Sequence, residues 1–276
     1  MLGTGNPIPD PERAGPSQAV VFNDRVFMVD CGRGALIRLA GAGISPAMID
    51  RLLLTHLHSD HITDFNDLIT TRWVTGFPAV ELPVIGPVGT TKFVKATLAM
   101  LSFDIDYRVK HHKDLEGAPE IEVNEVESGV VFDDGEIVIS VAQTDHRPVH
   151  PTVGYRIDSQ ENSVVLAGDT VPCEGLDQLC SGADVYVQTV IRDDLLSQIP
   201  IPRVTDILSY HSTVVDAALT ASRSGVRTLV LTHCVPAPAV NQADEWISIA
   251  AEHFDGEILL PNDLDRIPIS SGISNL

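Results

Sequence analysis

Basic residues are scarce in this chain of 276 residues: 18 Lys and Arg stand against 38 Asp and Glu, a formal net charge of −20 at pH 7. A protein that grips nucleic acid neutralises phosphates with clustered cations. The only dense basic group here is Arg108-Val109-Lys110-His111-His112-Lys113, which reads equally well as a solvated loop. Cysteine is sparse too. Cys31, Cys173, Cys180 and Cys234 form no Cys-x-x-Cys pair, and the expected state is reduced thiol, in the core or behind a site. No run is long and apolar enough to cross a membrane, and the N-terminus has none of the three parts of a secretion signal. A cytoplasmic protein with no membrane partner is expected. Internal repeats and low-complexity tracts are also missing. Apolar residues, by contrast, make up 44% of the chain, ample for a sizeable core, and one domain over residues 1–276 is the expected organisation.

The densest chemistry follows the most apolar run. Leu52-Leu53-Leu54 suits a strand buried on both faces. It empties into Thr55-His56-Leu57-His58-Ser59-Asp60-His61, three imidazoles and a carboxylate within six positions. These are the borderline nitrogen and hard oxygen donors that Zn²⁺ accepts. His56 and His58 share one side of an extended backbone, whereas Asp60 and His61 follow Ser59, where a helix can start and turn them elsewhere. Two neighbouring metal sites are implied. A surface loop that merely happens to be histidine-rich seldom follows a fully apolar strand.

The pattern recurs along the chain. Ala19 to Phe22 and Arg25 to Asp30 flank Asn23-Asp24 as a β-hairpin, with Asp30 at the strand end as either a turn residue or a partner for a ligand imidazole. Gly34 to Gly43 suits a short helix, Ser45-Pro46 a further turn, and Phe65, Leu68, Ile69 and Trp73 a core-facing helical stripe. Leu82 to Ile85, Glu120 to Val126, Val130 to Phe132 and Glu136 to Ala142 read as strands, and Lys92 to Leu101 as a helix. The strand ending at Ala142 runs into Thr144-Asp145-His146. Ser163 to Ala167 runs into Gly168-Asp169, where glycine lets the backbone pass close to a metal. A helix capped by Ser212 reaches about Ser224, and the strand Arg227 to Leu231 runs into Thr232-His233, before a last helix over Gln242 to His253. Four separate strands thus end in His56, His146, Asp169 and His233, and a dinuclear centre follows from that spacing. His111, His112, His150 and His253 are given no role.

His-x-His-x-Asp-His resembles the signature of the metallo-β-lactamase superfamily. Other segments resemble its ribonuclease Z and arylsulfatase-like branch: Leu2-Gly3-Thr4-Gly5-Asn6-Pro7, Val29-Asp30-Cys31-Gly32, Gly154-Tyr155, Gly168-Asp169, His211-Ser212-Thr213 and Leu231-Thr232-His233. The resemblance implies an α/β fold, an αββα sandwich of two mixed sheets flanked by helices, with the site at one edge. Matched residue by residue, it gives one metal His56, His58 and His146, and the other Asp60, His61 and His233, with Asp169 bridging. Two Zn²⁺ per chain are expected, the donor set admitting Mn or Fe as well. Such a pair, about 3.5–4 Å apart, can share a hydroxide and stabilise negative charge on an ester or phosphate. The resemblance makes His211 a phosphate-binding or proton-donating group, suggests Asp60 as a base besides a ligand, and fits a homodimer. Family members usually carry a few residues ahead of Leu-Gly-Thr-Gly, so either the first strand is short or the natural start lies further upstream.

For the substrate, three features point away from tRNA. The arm that grips tRNA is inserted, in most tRNA-processing members, between the third histidine and the bridging aspartate, yet His146 and Asp169 are 23 positions apart. Gln188 stands where that branch tends to have glutamate, and Ile62-Thr63-Asp64-Phe65 replaces a glycine-rich form. Together with the net charge these lead to the expectation of a zinc hydrolase of a small ester-type substrate (phosphodiester, carboxylic ester, lactone or sulfate ester), with nucleic acid disfavoured as a partner. The alternatives are a ribonuclease Z-type tRNA 3′-endonuclease and a redox or sensory protein on the same fold. The iron-redox members differ in carrying a carboxylate where His58 stands, so the complete histidine set argues for hydrolysis.

Overall fold

A computed structural model of the chain describes residues 1–239 and 241–269. The first half supplies one sheet and its helices: β1 (Gln18–Phe22), β2 (Arg25–Val29), α1 (Ala35–Gly41), β3 (Ile49–Leu53), α2 (Ser59–Ile62), α3 (Phe65–Thr75), β4 (Leu82–Gly86), α4 (Thr90–Met100), α5 (Ser102–His111) and β5 (Ile121–Glu125). The second half supplies β6 (Gly129–Asp133), β7 (Ile137–Gln143), β8 (Val153–Ser159), β9 (Ser163–Leu166), α6 (Glu174–Cys180), β10 (Val185–Ile191), α7 (Asp193–Leu196), α8 (Pro202–Asp206), α9 (Val214–Ser224), β11 (Thr228–Val235), α10 (Ala243–Ala251) and β12 (Glu257–Leu259). Among the described residues the first sheet has the order β1-β2-β3-β4-β5 and the second β12-β11-β10-β9-β8-β7-β6. Both mix parallel and antiparallel pairs.

Alternation along each strand sorts side chains into three apolar layers. In β2, Phe27 and Val29 join Ile139, Tyr155, Leu166 and Val187 between the sheets, while Val26 and Met28 turn outward to Leu39 of α1 and to Phe65 and Leu68 of α3. On the other side Tyr186 and Val190 of β10 meet Leu176, Ala217, Ala221 and Trp246 from α6, α9 and α10. Helix, sheet, sheet, helix is the resulting order, the expected αββα sandwich. Every residue of β10 is buried. Covered on both faces, such a strand reads as a continuous apolar run, and here Gln188 and Thr189 interrupt it, which is why the sequence did not mark it as a strand.

Helix ends follow local chemistry with one correction. Thr213, not Ser212, caps α9: its hydroxyl accepts from Asp216 N at 3.0 Å while Asp216 Oδ2 accepts from Thr213 N at 3.0 Å, a reciprocal capping box. Ser212 instead donates to Thr170 O at 2.7 Å. The basic group Arg108 to Lys113, open between loop and functional surface in the sequence, forms the last turn of α5 and the residues after it.

The termini close on one another through Asp263, whose side chain is 5% exposed. It accepts from Thr4 N (2.9 Å), Thr4 Oγ1 (2.8 Å), Ala14 N (2.7 Å) and Arg38 Nε (2.9 Å). The Arg38 side chain is 28% exposed, so the cost of losing the carboxylate lies in the donors of Thr4 and Ala14 left without an acceptor, about 1–3 kcal/mol each, and in a chain this size each kcal/mol is worth about 2–4 °C in Tm. Asp263→Ala is therefore expected to lower Tm by at least about 6 °C in a thermal melt. A shift under about 2 °C would show that water replaces the carboxylate without penalty.

Candidate metal centre

Strands from both sheets end at one edge, and the loops beyond them bring the seven ligand-type residues together. His56 follows β3, His58 caps α2, and Asp60 and His61 sit on that single turn of helix. His146 follows β7, Asp169 follows β9, and His233 lies in β11. Their donor atoms fall into two groups, His56, His58, His146 and Asp169, and Asp60, His61 and His233, each within 4.8 Å. The split is the one the break at Ser59 implied. Asp169 stands between them: its Oδ2 lies 3.5 Å from His61 Nε2, 3.8 Å from His233 Nε2 and 3.9 Å from both His56 and His146 Nε2. Asp60 Oδ2 faces His233 Nε2 at 3.1 Å and His61 Nε2 at 3.6 Å. Donors that bind one ion at about 2.1 Å sit roughly 3–4 Å from each other.

The residues fit such ions by a second criterion. Buried polar atoms are nearly always hydrogen-bonded, yet His56 Nε2, His61 Nε2 and Asp169 Oδ1 are buried with no hydrogen-bond partner. Both imidazole nitrogens face Asp169 Oδ2, at 3.9 Å for His56 and 3.5 Å for His61. The opposite ring nitrogens of His56, His61 and His146 are engaged, whereas His233 Nδ1 is buried without a partner. His61 Nδ1 is 2.7 Å from Asp30 Oδ2, and His146 Nδ1 donates to Tyr210 O at 2.8 Å. His56 Nδ1 lies 3.0 Å from Thr55 Oγ1, which donates to Asp30 Oδ2 at 2.8 Å. One carboxylate therefore orients one imidazole from each group, directly and through a hydroxyl, which settles Asp30 as more than a turn residue.

Backbone features hold this frame. Asp30 and His233 adopt φ of 56° and 51°, a left-handed conformation that costs a non-glycine residue free energy unless its surroundings enforce it. For His233 the enforcing contact is its N–H to Thr4 O at 3.1 Å, and Asn6 Nδ2 donates to the next carbonyl, Cys234 O, at 2.7 Å. The turn-rich opening of the chain is thus the wall behind His233. Gly168 has φ 65°, and a Cβ there would stand 2.7 Å from Thr55 Cβ. The glycine makes room for the threonine that orients His56, a closer constraint than room for a metal. Sequence reasoning missed Thr55, Thr4, Asn6 and Tyr210. The signals were Thr55 adjoining a ligand histidine and the opening Leu2-Gly3-Thr4-Gly5-Asn6-Pro7, read as a motif without a role for Asn6; Tyr210 and Thr4 act through carbonyls that any residue has.

Electrostatics divides the imidazoles. Burial pushes the His56 ring well below its ordinary pKa, helped by His61, and pushes His146 down to about 4. Both therefore keep a lone pair free for a metal. His61 is also opposed by burial, but Asp169 and Asp30 outweigh it and hold its pKa well up. For Asp169 burial favours the neutral acid, and His233 and His61 overcome it, keeping the carboxyl well below its usual range. The pocket's demand for positive charge is one that divalent cations meet. His211 completes the rim: Nδ1 donates to Ile207 O at 3.0 Å, leaving Nε2 3.3 Å from Asp169 Oδ2. Its raised pKa results from that carboxylate overcoming burial. His211 thus joins the cluster, whereas His111, His112, His150 and His253 stay outside both groups.

Comparison with known proteins places this geometry. Residues 25–234 match the family model of the β-lactamase superfamily domain. A ribonuclease Z of Mycobacterium bovis is 54% identical over 271 residues, covering 98% of this chain and 97% of the relative. That of Mycobacterium avium is 53% identical over 273 residues, 98% of each chain. The crystal structure of human tRNase Z, short form, superposes with a TM-score of 0.74 at 22% identity over 98% of each chain, a likeness of fold. These relatives overturn the expectation of a small-molecule ester partner with nucleic acid disfavoured. They match the chain nearly end to end and are named for a ribonuclease. The expectation failed physically because a net charge averages over the whole surface, whereas holding a polyanion depends on where the cations cluster.

Proposed function

Because this chain belongs to the β-lactamase superfamily, in its ribonuclease Z branch, we propose that it is a metal-dependent phosphodiesterase that cleaves RNA, with precursor tRNA as substrate. The observation carrying the reading is the convergence of seven ligand-type side chains in two adjoining groups, with the Nε2 atoms of His56, His61, His146 and His233 within 3.9 Å of Asp169 Oδ2, in a chain 54% identical to a ribonuclease Z over 98% of its length. We assign His56, His58 and His146 to one ion and Asp60, His61 and His233 to the other, with Asp169 shared. A nitrogen and oxygen set without thiolate suits zinc. Metal ions held there would supply a nucleophilic water near neutral pH and neutralise charge on the phosphate. Asp60 doubles as the base that accepts the water's proton, and His211 Nε2 donates one to the leaving oxygen. The whole of residues 1–276 serves as one hydrolase domain, a reading supported by the Asp263 contacts that tie the two ends together.

Two measurements test this. Elemental analysis of protein never exposed to chelator should find close to two zinc ions per chain. A value that stays near zero after zinc addition would remove the dinuclear assignment, and two equivalents of Mn or Fe would replace zinc. On a precursor tRNA with a 3′ trailer, the loaded enzyme should release the trailer at one site, and chelation should stop it. Intact precursor beside brisk hydrolysis of a small diester would refute the RNA reading while leaving the hydrolase standing.

A further inference from the structure

All four lysines of the chain, Lys92, Lys95, Lys110 and Lys113, fall within 22 consecutive residues. All four are exposed, on α4, on α5 and just after it. Residues 92–113 hold five Lys and Arg against Asp104 and Asp106, whereas the rest of the chain holds 13 basic against 36 acidic residues. The two acids pair along the helix, Asp104 with Arg108 at 2.8 Å and Asp106 with Lys110 at 3.2 Å. Exposed pairs of this kind are weak and yield readily to a stronger anion. On the same helices Met100, Phe103 and Tyr107 are 63%, 76% and 68% exposed; Met100 ends α4, and Phe103 and Tyr107, four apart on α5, share a face. Large apolar side chains left uncovered beside the chain's only lysines mark a surface built for a partner.

The start of α4 lies against the segment that carries the first ligands. Gly89, which precedes α4, is packed so that a Cβ would lie 3.2 Å from Leu57 Cδ1, and Leu57 sits between His56 and His58. The Phe93 ring packs at a tilt 4.9 Å from that of Phe65 of α3, holding α4 against the helix that follows the ligands. With a rise of 1.5 Å per residue, α4 and α5 each extend on the order of 15 Å, a span of several nucleotides. Cations that hold phosphates, interleaved with aromatic rings on which unpaired bases stack, are the recognition chemistry of RNA.

We propose that α4 and α5 form the RNA-holding surface, their lysines bearing on the phosphate backbone and Phe103 and Tyr107 on bases. The inference rests on the proposed RNA substrate and adds how a chain with 23 positions between His146 and Asp169 grips it. It also gives the acidic protein its local cation cluster.

The test compares wild type with Lys92→Gln/Lys95→Gln/Lys110→Gln/Lys113→Gln and with Phe103→Ala/Tyr107→Ala. The readouts are kcat/KM on a precursor tRNA and on bis(p-nitrophenyl) phosphate, and RNA affinity by fluorescence anisotropy across a salt series. The lysine variant should lose at least about tenfold on RNA, keep its rate on the small diester, and show a log–log salt slope shallower by about 3, near 0.7 for each lost contact to a single strand. The aromatic variant should lose about tenfold without a change of slope. Unchanged RNA affinity and slope in the lysine variant would overturn the proposal. So would lysine-dependent capture of anionic phosphatidylserine vesicles with RNA binding unaffected, which would assign the surface to a membrane. If wild type leaves the precursor intact, the substrate reading fails by itself, and the anisotropy series still decides whether these lysines hold RNA.

Discussion

Asp169→Ala should empty the metal centre and abolish turnover. The Oδ2 of this residue lies within 3.3–3.9 Å of the Nε2 atoms of His56, His61, His146, His211 and His233. Among the described residues no other carboxylate lies within 4.0 Å of imidazole nitrogens from both ligand groups: Asp60 faces His61 and His233 only, and Asp30 touches His61 directly but His56 only through Thr55. On the proposed assignment, removing Asp169 would take away the ligand shared by the two groups and the buried anion that would balance two cations. The remaining imidazoles must then hold two mutually repelling ions with Asp60 as the single negative ligand. A metal's contribution to phosphoryl chemistry is several kcal/mol, and about 1.4 kcal/mol is a factor of ten, so the loss in kcat should be about 10³-fold or greater. Metal content should fall below two per chain in the same preparation. Asp169→Asn keeps the shape without the charge and should show the same double loss. A variant that keeps two ions and runs within about tenfold of wild type would refute the shared-ligand role.

How far the sequence foretold this centre depends on the kind of signal each residue left. His56 to His61 was legible because four donors crowd into six positions behind an apolar strand, and because Ser59 marks where extended chain yields to helix. His146, Asp169 and His233 became legible once each was seen to follow a strand, since parallel strands of an α/β sandwich deliver their ends to one edge. What stayed hidden acts through the backbone or by shape. Tyr210 holds His146 by a carbonyl and Thr4 holds His233 by another, and no side-chain pattern reports either. Gly168 was noticed, but its reason, Thr55, lies 113 positions away in sequence. Among fold elements, β10 escaped because Gln188 interrupts its apolar run. Inside the sandwich that amide is satisfied by Tyr186 Oη and Thr189 O, so it costs little to bury. The cap of α9 was misplaced by one residue because the first hydroxyl was preferred to the one three residues before Asp216. The substrate was misread for a different reason: total charge and a missing insertion were weighed, while the confinement of every lysine to one helical segment was not.

His211→Ala should leave metal and fold intact but slow RNA cleavage by about 10²–10⁴-fold, the usual contribution of general acid catalysis. The capping box of α9 belongs to Thr213 and Asp216, so the helix does not need His211 as its cap. The bonds lost are the 3.0 Å contact from Nδ1 to Ile207 O, in a turn also held by the hydrogen bond from Tyr210 N to the same carbonyl at 3.4 Å, and the 3.3 Å contact from Nε2 to Asp169 Oδ2, a carboxylate that four other imidazoles still face. A structural effect and a chemical one can be told apart by the leaving group. Cleavage of RNA expels a sugar alkoxide, which needs a proton as the bond breaks. Cleavage of bis(p-nitrophenyl) phosphate expels a phenolate stable without one. If His211 Nε2 delivers that proton, the variant should lose its 10²–10⁴-fold on precursor tRNA and no more than about tenfold on the activated diester, with two metal ions retained. Equal losses on the two substrates would make His211 a residue that shapes the pocket. A variant within about twofold of wild type on RNA would remove it from the reaction altogether.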